Sequence, residues 1–166
     1  SNEGNVIAVS SSGELLNIDS NNGRIIWSKR LFVSEYATTT DFIKSSEIVI
    51  DNENIILSVG FLTFSINLKN GFINWEQRVS STDTPIAVGK NIFLVTDNGY
   101  FVVLDKDSGE IISSKNILKI LKTSRQKTKI AGSIMGSEKF YSFTHNVYLI
   151  VSSAVNGLPK YSKKIG

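Results

Sequence analysis

Gly13-Glu-Leu-Leu-Asn-Ile-Asp19-Ser-Asn-Asn-Gly23-Arg-Ile-Ile-Trp27 decides the fold. Leu15–Ile18 reads as a short strand and Arg24–Arg30 as its return partner. Between them lies an Asn- and Ser-rich tetrapeptide ending in Gly23, the composition of a tight hairpin turn. Gly accepts the positive φ that such a turn needs. The Asp19 carboxylate is placed to bond nearby backbone N–H groups and hold the turn.

The pattern recurs. Asn67-Leu-Lys-Asn-Gly71-Phe-Ile-Asn-Trp75 and Asp105-Lys-Asp-Ser-Gly109-Glu-Ile-Ile-Ser113 repeat it, and Ser153-Ala-Val-Asn-Gly157-Leu-Pro-Lys-Tyr161 is a worn copy. The four glycines are spaced 48, 38 and 48 residues apart. A period of about 40 residues is the length of a four-stranded propeller blade. Strands are expected before each turn at Leu15–Ile18, Thr63–Leu68, Phe101–Leu104 and Tyr148–Ser152. After each turn they are expected at Arg24–Arg30, Phe72–Val79, Glu110–Ser114 and Lys160–Ile165. One more precedes each pair, at Val6–Ser10, Ile55–Val59, Ile92–Thr96 and Lys139–Thr144. Copies two to four add a first strand at Glu47–Asp51, Thr84–Val88 and Lys129–Ile134. The expected total is fifteen, one short of four complete blades, because the first strand of copy one would precede Ser1. The blades are expected at about 1–37, 38–82, 83–126 and 127–166.

Composition agrees with this reading. The 166 residues include 21 Ile but 5 Ala, a balance that favours strands over helices. Nine Phe, five Tyr and two Trp supply a core and exclude a disordered chain. No stretch approaches the 18 or so apolar residues that cross a membrane as a helix. The segment Asn116-Ile-Leu-Lys-Ile-Leu-Lys122 is the exception to the strand grammar and reads as a short helix in a connection. The start, Ser1-Asn2-Glu3-Gly4, has no secretory signal pattern and no initiator Met, so processing or cutting is expected.

The unit resembles the PQQ-like (quinoprotein-type) β-propeller repeat, close to Gly-x-Leu-x-Ala-Leu-Asp-x-x-x-Gly-x-x-x-Trp. Gly13 through Trp27 fits best. Gly99 through Gly109 fits nearly as well, with Ser113 in place of the Trp. The resemblance implies an all-β fold of about four four-stranded antiparallel blades, a partial or half propeller whose first blade lacks one strand. It also implies that Asp19, Gly23, Trp27, Asn67, Gly71, Trp75, Asp105, Gly109 and Gly157 are structural repeat positions. In such repeats the Trp packs on a neighbouring blade. Within the superfamily the chain looks most like the BamB-like lipoproteins. The run Lys90-Asn-Ile-Phe-Leu-Val-Thr-Asp97, followed by Gly99 and Leu104-Asp105, is similar to their repeat, and Asn116–Lys122 to an inter-blade segment of their C-terminal half. That resemblance implies a non-enzymatic scaffold acting by protein contact in outer-membrane β-barrel assembly. Its place would be the periplasm or the periplasmic face of the outer membrane, with membrane association only through a lipid anchor outside this segment. The alternatives are a fragment of a PQQ-dependent quinoprotein dehydrogenase, or a propeller interaction domain of another pathway.

The residues give little support to catalysis. With no Cys there is no thiolate ligand, cysteine nucleophile or vicinal Cys pair. His145 is the one imidazole and sits at an expected turn, with no singled-out nucleophile beside it. Asp105-Lys-Asp107 and Asp51-Asn-Glu53 are the nearest approaches to a calcium cluster, and both read as solvated turns. Gly132-Ser-Ile-Met-Gly136 precedes no long helix and lacks the Lys-Ser/Thr of a phosphate loop; its glycines read as a strand end or bulge. No catalytic residue, cofactor or metal ligand is expected.

Charge points to one surface. Lys115, Lys119, Lys122, Arg125, Lys127 and Lys129 fall in fifteen residues without an acid. The whole chain carries +3, so the remainder is net acidic. Long connections on a rigid scaffold are where partners bind. These six residues are the candidate partner-binding set, suited to an acidic protein surface or to lipid-headgroup phosphate, the alternative being a solvated loop with a chance run of Lys. Nucleic acid is not expected, since no aromatics interleave the basic residues. Open blade edges also suggest self-association.

Overall fold

A computed structural model describes residues 4–31, 43–121 and 128–165. Among them are β1 (Asn5–Val9), β2 (Glu14–Asp19), β3 (Ile25–Arg30), β4 (Val49–Asp51), β5 (Asn54–Val59), β6 (Leu62–Asn67) and β7 (Ile73–Gln77). The chain continues through β8 (Ile86–Val88), β9 (Asn91–Val95), β10 (Tyr100–Asp105), β11 (Ile111–Asn116), a 3₁₀ turn (Ile117–Ile120), β12 (Ile130–Gly136), β13 (Lys139–Thr144), β14 (Tyr148–Ser153) and β15 (Pro159–Lys164). Every strand pairs antiparallel with its sequence neighbour inside its own sheet. The result is one three-stranded meander, β1-β2-β3, and three four-stranded ones, β4 to β7, β8 to β11 and β12 to β15. The fold is all-β, and none of these sheets closes on itself.

Burial follows position in the meander. β5 and β6, like β9 and β10, are buried at nearly every residue, so both faces are covered and the sequence runs apolar (Asn54-Ile-Ile-Leu-Ser-Val59). The last strand of each meander has alternating or mostly exposed residues. These strands carry Lys29 and Arg30, Glu76, Lys115, and Lys160, Lys163 and Lys164. Charge on an edge strand discourages pairing with other chains.

The chain forms two compact units, Ser1–Ser80 and Ser81–Gly166. The first has a core of Leu15, Leu31, Ile55, Leu57, Val59, Phe64 and Ile66. The second centres on Phe93, Phe101, Phe140, Ile117 and Ile150. There the Phe101 and Phe140 rings meet edge-on with centroids 4.7 Å apart, a geometry that adds about 0.5–1.5 kcal/mol beyond burial.

The segment expected as a short helix is a single 3₁₀ turn. Asn116 caps it by accepting from the Leu118 N–H at 3.0 Å, and Ile117 and Leu118 are buried. Leu118 lies over the Gly99 turn, where a Cβ on Gly99 would stand 2.3 Å from Leu118 Cγ. Burying both apolar residues against that turn fixes the segment after one turn.

Candidate functional site

The repeated turn has one geometry in all four copies. The residue at the Asp19 position donates its N–H across the turn (Asp19 to Arg24, Asn67 to Phe72, Asp105 to Glu110, Ser153 to Leu158) at 2.8–2.9 Å. Its carbonyl accepts from the glycine four residues on, also at 2.8–2.9 Å. Gly23, Gly71, Gly109 and Gly157 all have φ between +68° and +74°. Asp19 Oδ1 accepts from Asn21 N–H at 2.8 Å, and Asn67 Oδ1 from Lys69 N–H at 3.0 Å. Asp105 Oδ1 accepts from the N–H groups of Asp107 and Ser108 and from the Ser108 hydroxyl. The bonds from Ser108 favour the ionised form and hold the Asp105 carboxyl below its ordinary value, helped by Asp107 and the Lys90 charge. The fourth copy has Ser153 here and keeps the turn with its backbone bonds and with Asn156 Oδ1, which accepts from the Leu158 N–H at 3.1 Å. Each copy also has a register shift two residues from the turn, between Asn17/Ile18, Ser65/Ile66, Val103/Leu104 and Val151/Ser152.

Trp27 shows what the bare glycine permits. The Trp27 indole N–H donates to the Leu68 carbonyl at 3.1 Å. Its ring lies on Gly71 so closely that a Cβ there would stand 2.8 Å from Cε3 and 2.9 Å from Cδ2. The ring of one sheet thus caps the turn of the next within the first unit. Trp75 occupies the same position on β7 and is buried.

The third copy has Ser113 at that position, and a different solution fills the space. A Cβ on Gly157 would lie 2.5 Å from Phe101 Cδ1 and 3.5 Å from Lys115 Cγ. Phe101 and Lys115 are directly opposite each other on β10 and β11. Spacing from the turn could not reveal this substitution, because Phe101 comes from the strand before the turn.

Of the basic candidates, Lys115 is on β11, Lys119 is in the 3₁₀ turn and Lys129 precedes β12; all three are exposed. Lys115 uses its aliphatic stem against the Gly157 turn, so its ammonium group is carried on a packed chain. Lys122, Arg125 and Lys127 lie outside the described residues. The structure therefore places three of the six. His145 is exposed in a turn, its N–H donating to the Lys129 carbonyl at 3.1 Å. Gly132 sits at a register shift in β12, and Gly136 ends that strand. No group of three or more possible metal ligands occurs among the described residues.

A feature absent from the sequence reading lies in the first unit. A cleft of about 340 Å³ opens between β1-β2-β3 and the next sheet, lined by Asn5, Ile7, Asn17, Ile26, Ile50 and their neighbours. Asn17 is 1% exposed. Its Nδ2 donates to the Leu68 carbonyl at 3.3 Å, while its buried Oδ1 has no hydrogen-bond partner among the described residues.

A family model described as outer membrane protein assembly factor BamB matches residues 2–115. The chain belongs to that family. No curated protein sequence matches it. Among solved structures, BamB from Moraxella catarrhalis is similar with a TM-score of 0.74 at 14% identity, over 99% of this chain and 51% of that one. Quinohemoprotein alcohol dehydrogenase from Comamonas testosteroni has a TM-score of 0.70 at 10% identity, over 98% of this chain and 33% of its own. The Pan2 WD40 domain of Neurospora crassa gives 0.66 at 11% identity, over 98% and 47%. At such identities the structural likeness shows the fold, and that fold is the β-propeller blade. The chain spans about half the length of the Moraxella BamB. The chain is of the PQQ-repeat β-propeller type, as are BamB and the quinohemoprotein dehydrogenases.

Proposed function

We propose that this BamB-family segment is a non-enzymatic scaffold that binds other proteins during assembly of outer-membrane β-barrels. It works in the periplasm or at the periplasmic face of the outer membrane. The observation that carries the reading is the family match over residues 2–115. The blade architecture suits it, since rigid sheets present their connections at fixed positions. The partner surface in this reading includes the basic run, of which Lys115, Lys119 and Lys129 are exposed. A basic surface steers an acidic partner and loses its pull as salt rises. No helix among the described residues is long and apolar enough to cross a membrane. Membrane attachment, in this reading, is by a lipid anchor outside the segment.

The test is a pull-down from outer-membrane extracts of the source organism, read by mass spectrometry at low and high salt. Recovery of an outer-membrane assembly component at low salt, reduced by the triple change K115E/K119E/K129E, supports the reading. Recovery of none overturns it. Titration with pyrroloquinoline quinone and calcium tests the dehydrogenase alternative, and saturable binding there would replace the scaffold reading.

A further inference from the structure

Charge divides the chain unevenly. Residues 111–166 hold nine Lys and one Arg against a single acid, Glu138, whereas residues 1–110 hold eight basic and fourteen acidic residues. The basic run before β12 accounts for part of this surplus. Lys160, Lys163 and Lys164 supply another part from β15, the edge strand of the fourth sheet, and all three are exposed. Lys115, whose stem lies against the Gly157 turn, borders the same surface.

Comparison of the copies isolates what is particular to the fourth. Turn residues 105–110 of the third copy include Asp105, Asp107 and Glu110, whereas residues 153–158 carry no charge. At the tip of that turn stands Val155, where the other copies have Asn21, Lys69 and Asp107. Val155 is 80% exposed and Leu158 51%. The turn is held by backbone bonds from Ser153 to Leu158 and from Gly157 to Ser153, and by Asn156 Oδ1, which accepts from the Leu158 N–H. Both aliphatic side chains are therefore presented from a fixed frame, with Lys160 two residues further on. Glu138 flanks the turn, its carbonyl accepting from the Ala154 N–H at 3.1 Å, and Lys139 adjoins it at the start of β13.

An acidic protein and an anionic bilayer are the two partners a basic surface attracts, and the side chains choose between them. Protein interfaces deplete Lys and favour Arg and aromatic anchors in packed pockets. Nine of the ten cations here are Lys, compact point charges that need no fixed partner geometry. Aliphatic groups protruding from a turn beside lysines match the pattern of interfacial binding, with apolar groups among the headgroups and ammonium groups at the phosphates.

We propose that the Gly157 turn and β15 dock on an anionic phospholipid surface, Val155 and Leu158 entering the headgroup region while Lys160, Lys163 and Lys164 meet lipid phosphates. The contact goes beyond the scaffold reading and does not rest on it, since none of these residues belongs to the proposed protein-binding set.

The experiment is co-sedimentation with vesicles of phosphatidylcholine alone and of phosphatidylcholine and phosphatidylglycerol in equal parts, at low and raised salt. Binding is expected to the mixed vesicles and not to the neutral ones, and it weakens as salt rises. K160Q/K163Q/K164Q is expected to weaken it about a hundredfold, from about fivefold for each Lys near an anionic surface. Val155→Asn, which places there the residue type of Asn21, is expected to cost about fivefold through lost apolar burial. R24Q/R30Q/K44Q removes the same charge from exposed positions of the first unit and is expected to bind as the unchanged chain does. All substituted residues are exposed, so the variants keep the fold, which circular dichroism checks. Failure to sediment with mixed vesicles overturns the proposal, as does equal binding to neutral ones. An equal loss in the first-unit variant, or no loss in Val155→Asn, also overturns it. Tighter binding to polyglutamate than to mixed vesicles at equal charge concentration would name an acidic polypeptide as the partner instead. The scaffold reading is tested separately, by K115E/K119E/K129E in the pull-down.

Discussion

Gly23 and Gly71 offer a controlled measurement of what the Trp27 indole demands of its neighbour. Both are turn glycines of the first unit, with φ of +72° and +71°. A Cβ on Gly23 would meet nothing within 4 Å, whereas one on Gly71 would stand 2.8 Å from Trp27 Cε3. Gly23→Ala therefore carries only the left-handed backbone penalty, about 1–2 kcal/mol. Gly71→Ala carries the same penalty plus an overpacking cost of about 1–3 kcal/mol, because ring atoms cannot swing aside as the tip of a flexible chain would. It should also lengthen the indole bond to the Leu68 carbonyl, now 3.1 Å. Urea unfolding is the assay, with hydrogen exchange at Leu57 and Ile66 to keep the readout on the first unit. Gly71→Ala should lose more stability than Gly23→Ala by about 1–3 kcal/mol. In a Trp27→Ala background that difference should fall to near zero. Equal losses for the two glycines, or a gap that survives removal of the indole, would refute the docking argument.

Gly99→Ala should be costly in the second unit for the same reason, since its Cβ would fall 2.3 Å from Leu118 Cγ; thermal unfolding should show recovery in a Leu118→Ala background. Ser108→Ala should raise the Asp105 pKa, measured by NMR titration of the carboxyl, because it removes the hydroxyl donor and leaves the backbone one. The Asp105 carboxyl is held low in the folded chain, so its contribution is present above the ordinary carboxylate range. That contribution is lost as pH falls through the folded value, and Ser108→Ala should make it smaller and its loss complete at a higher pH. Light scattering tests association through β1, the edge strand of the three-stranded sheet: a dimer is expected at high concentration, and a monomer throughout would exclude that route.

The strand pattern was legible because three local signals agree at every copy. Turn glycine, short apolar strand runs bounded by turn residues and roughly 40-residue spacing each specify the same meander. The boundaries differ from expectation by a few residues, chiefly at frayed ends such as Phe72–Val79, which pairs only over Ile73–Gln77. The helical reading of Asn116–Lys122 was legible in kind but not in length, since the Gly99 turn that receives Leu118 is remote in sequence. The basic run was legible as charge, yet charge alone does not say which lysines share a surface. Lys115 shows why: its place is set by Phe101 and Gly157, fourteen and forty-two residues away.

A repeat protein supplies its own control, because a position's equivalents show what the fold alone requires. Departures from the shared pattern then divide into two kinds. At Ser113 the expected Trp is gone, but Phe101 is larger than its equivalents Leu15, Thr63 and Leu149 and covers the Gly157 turn instead. That departure is compensated inside the molecule and implies no ligand. At Val155 the departure puts an aliphatic side chain where the other copies are polar, and it stands 80% exposed. The first kind conserves packing by another route. The second leaves apolar surface open, and it lies beside the lysines of β15. The distinction could not be drawn from the sequence, where Ser113 and Val155 look alike as single irregularities in a regular series.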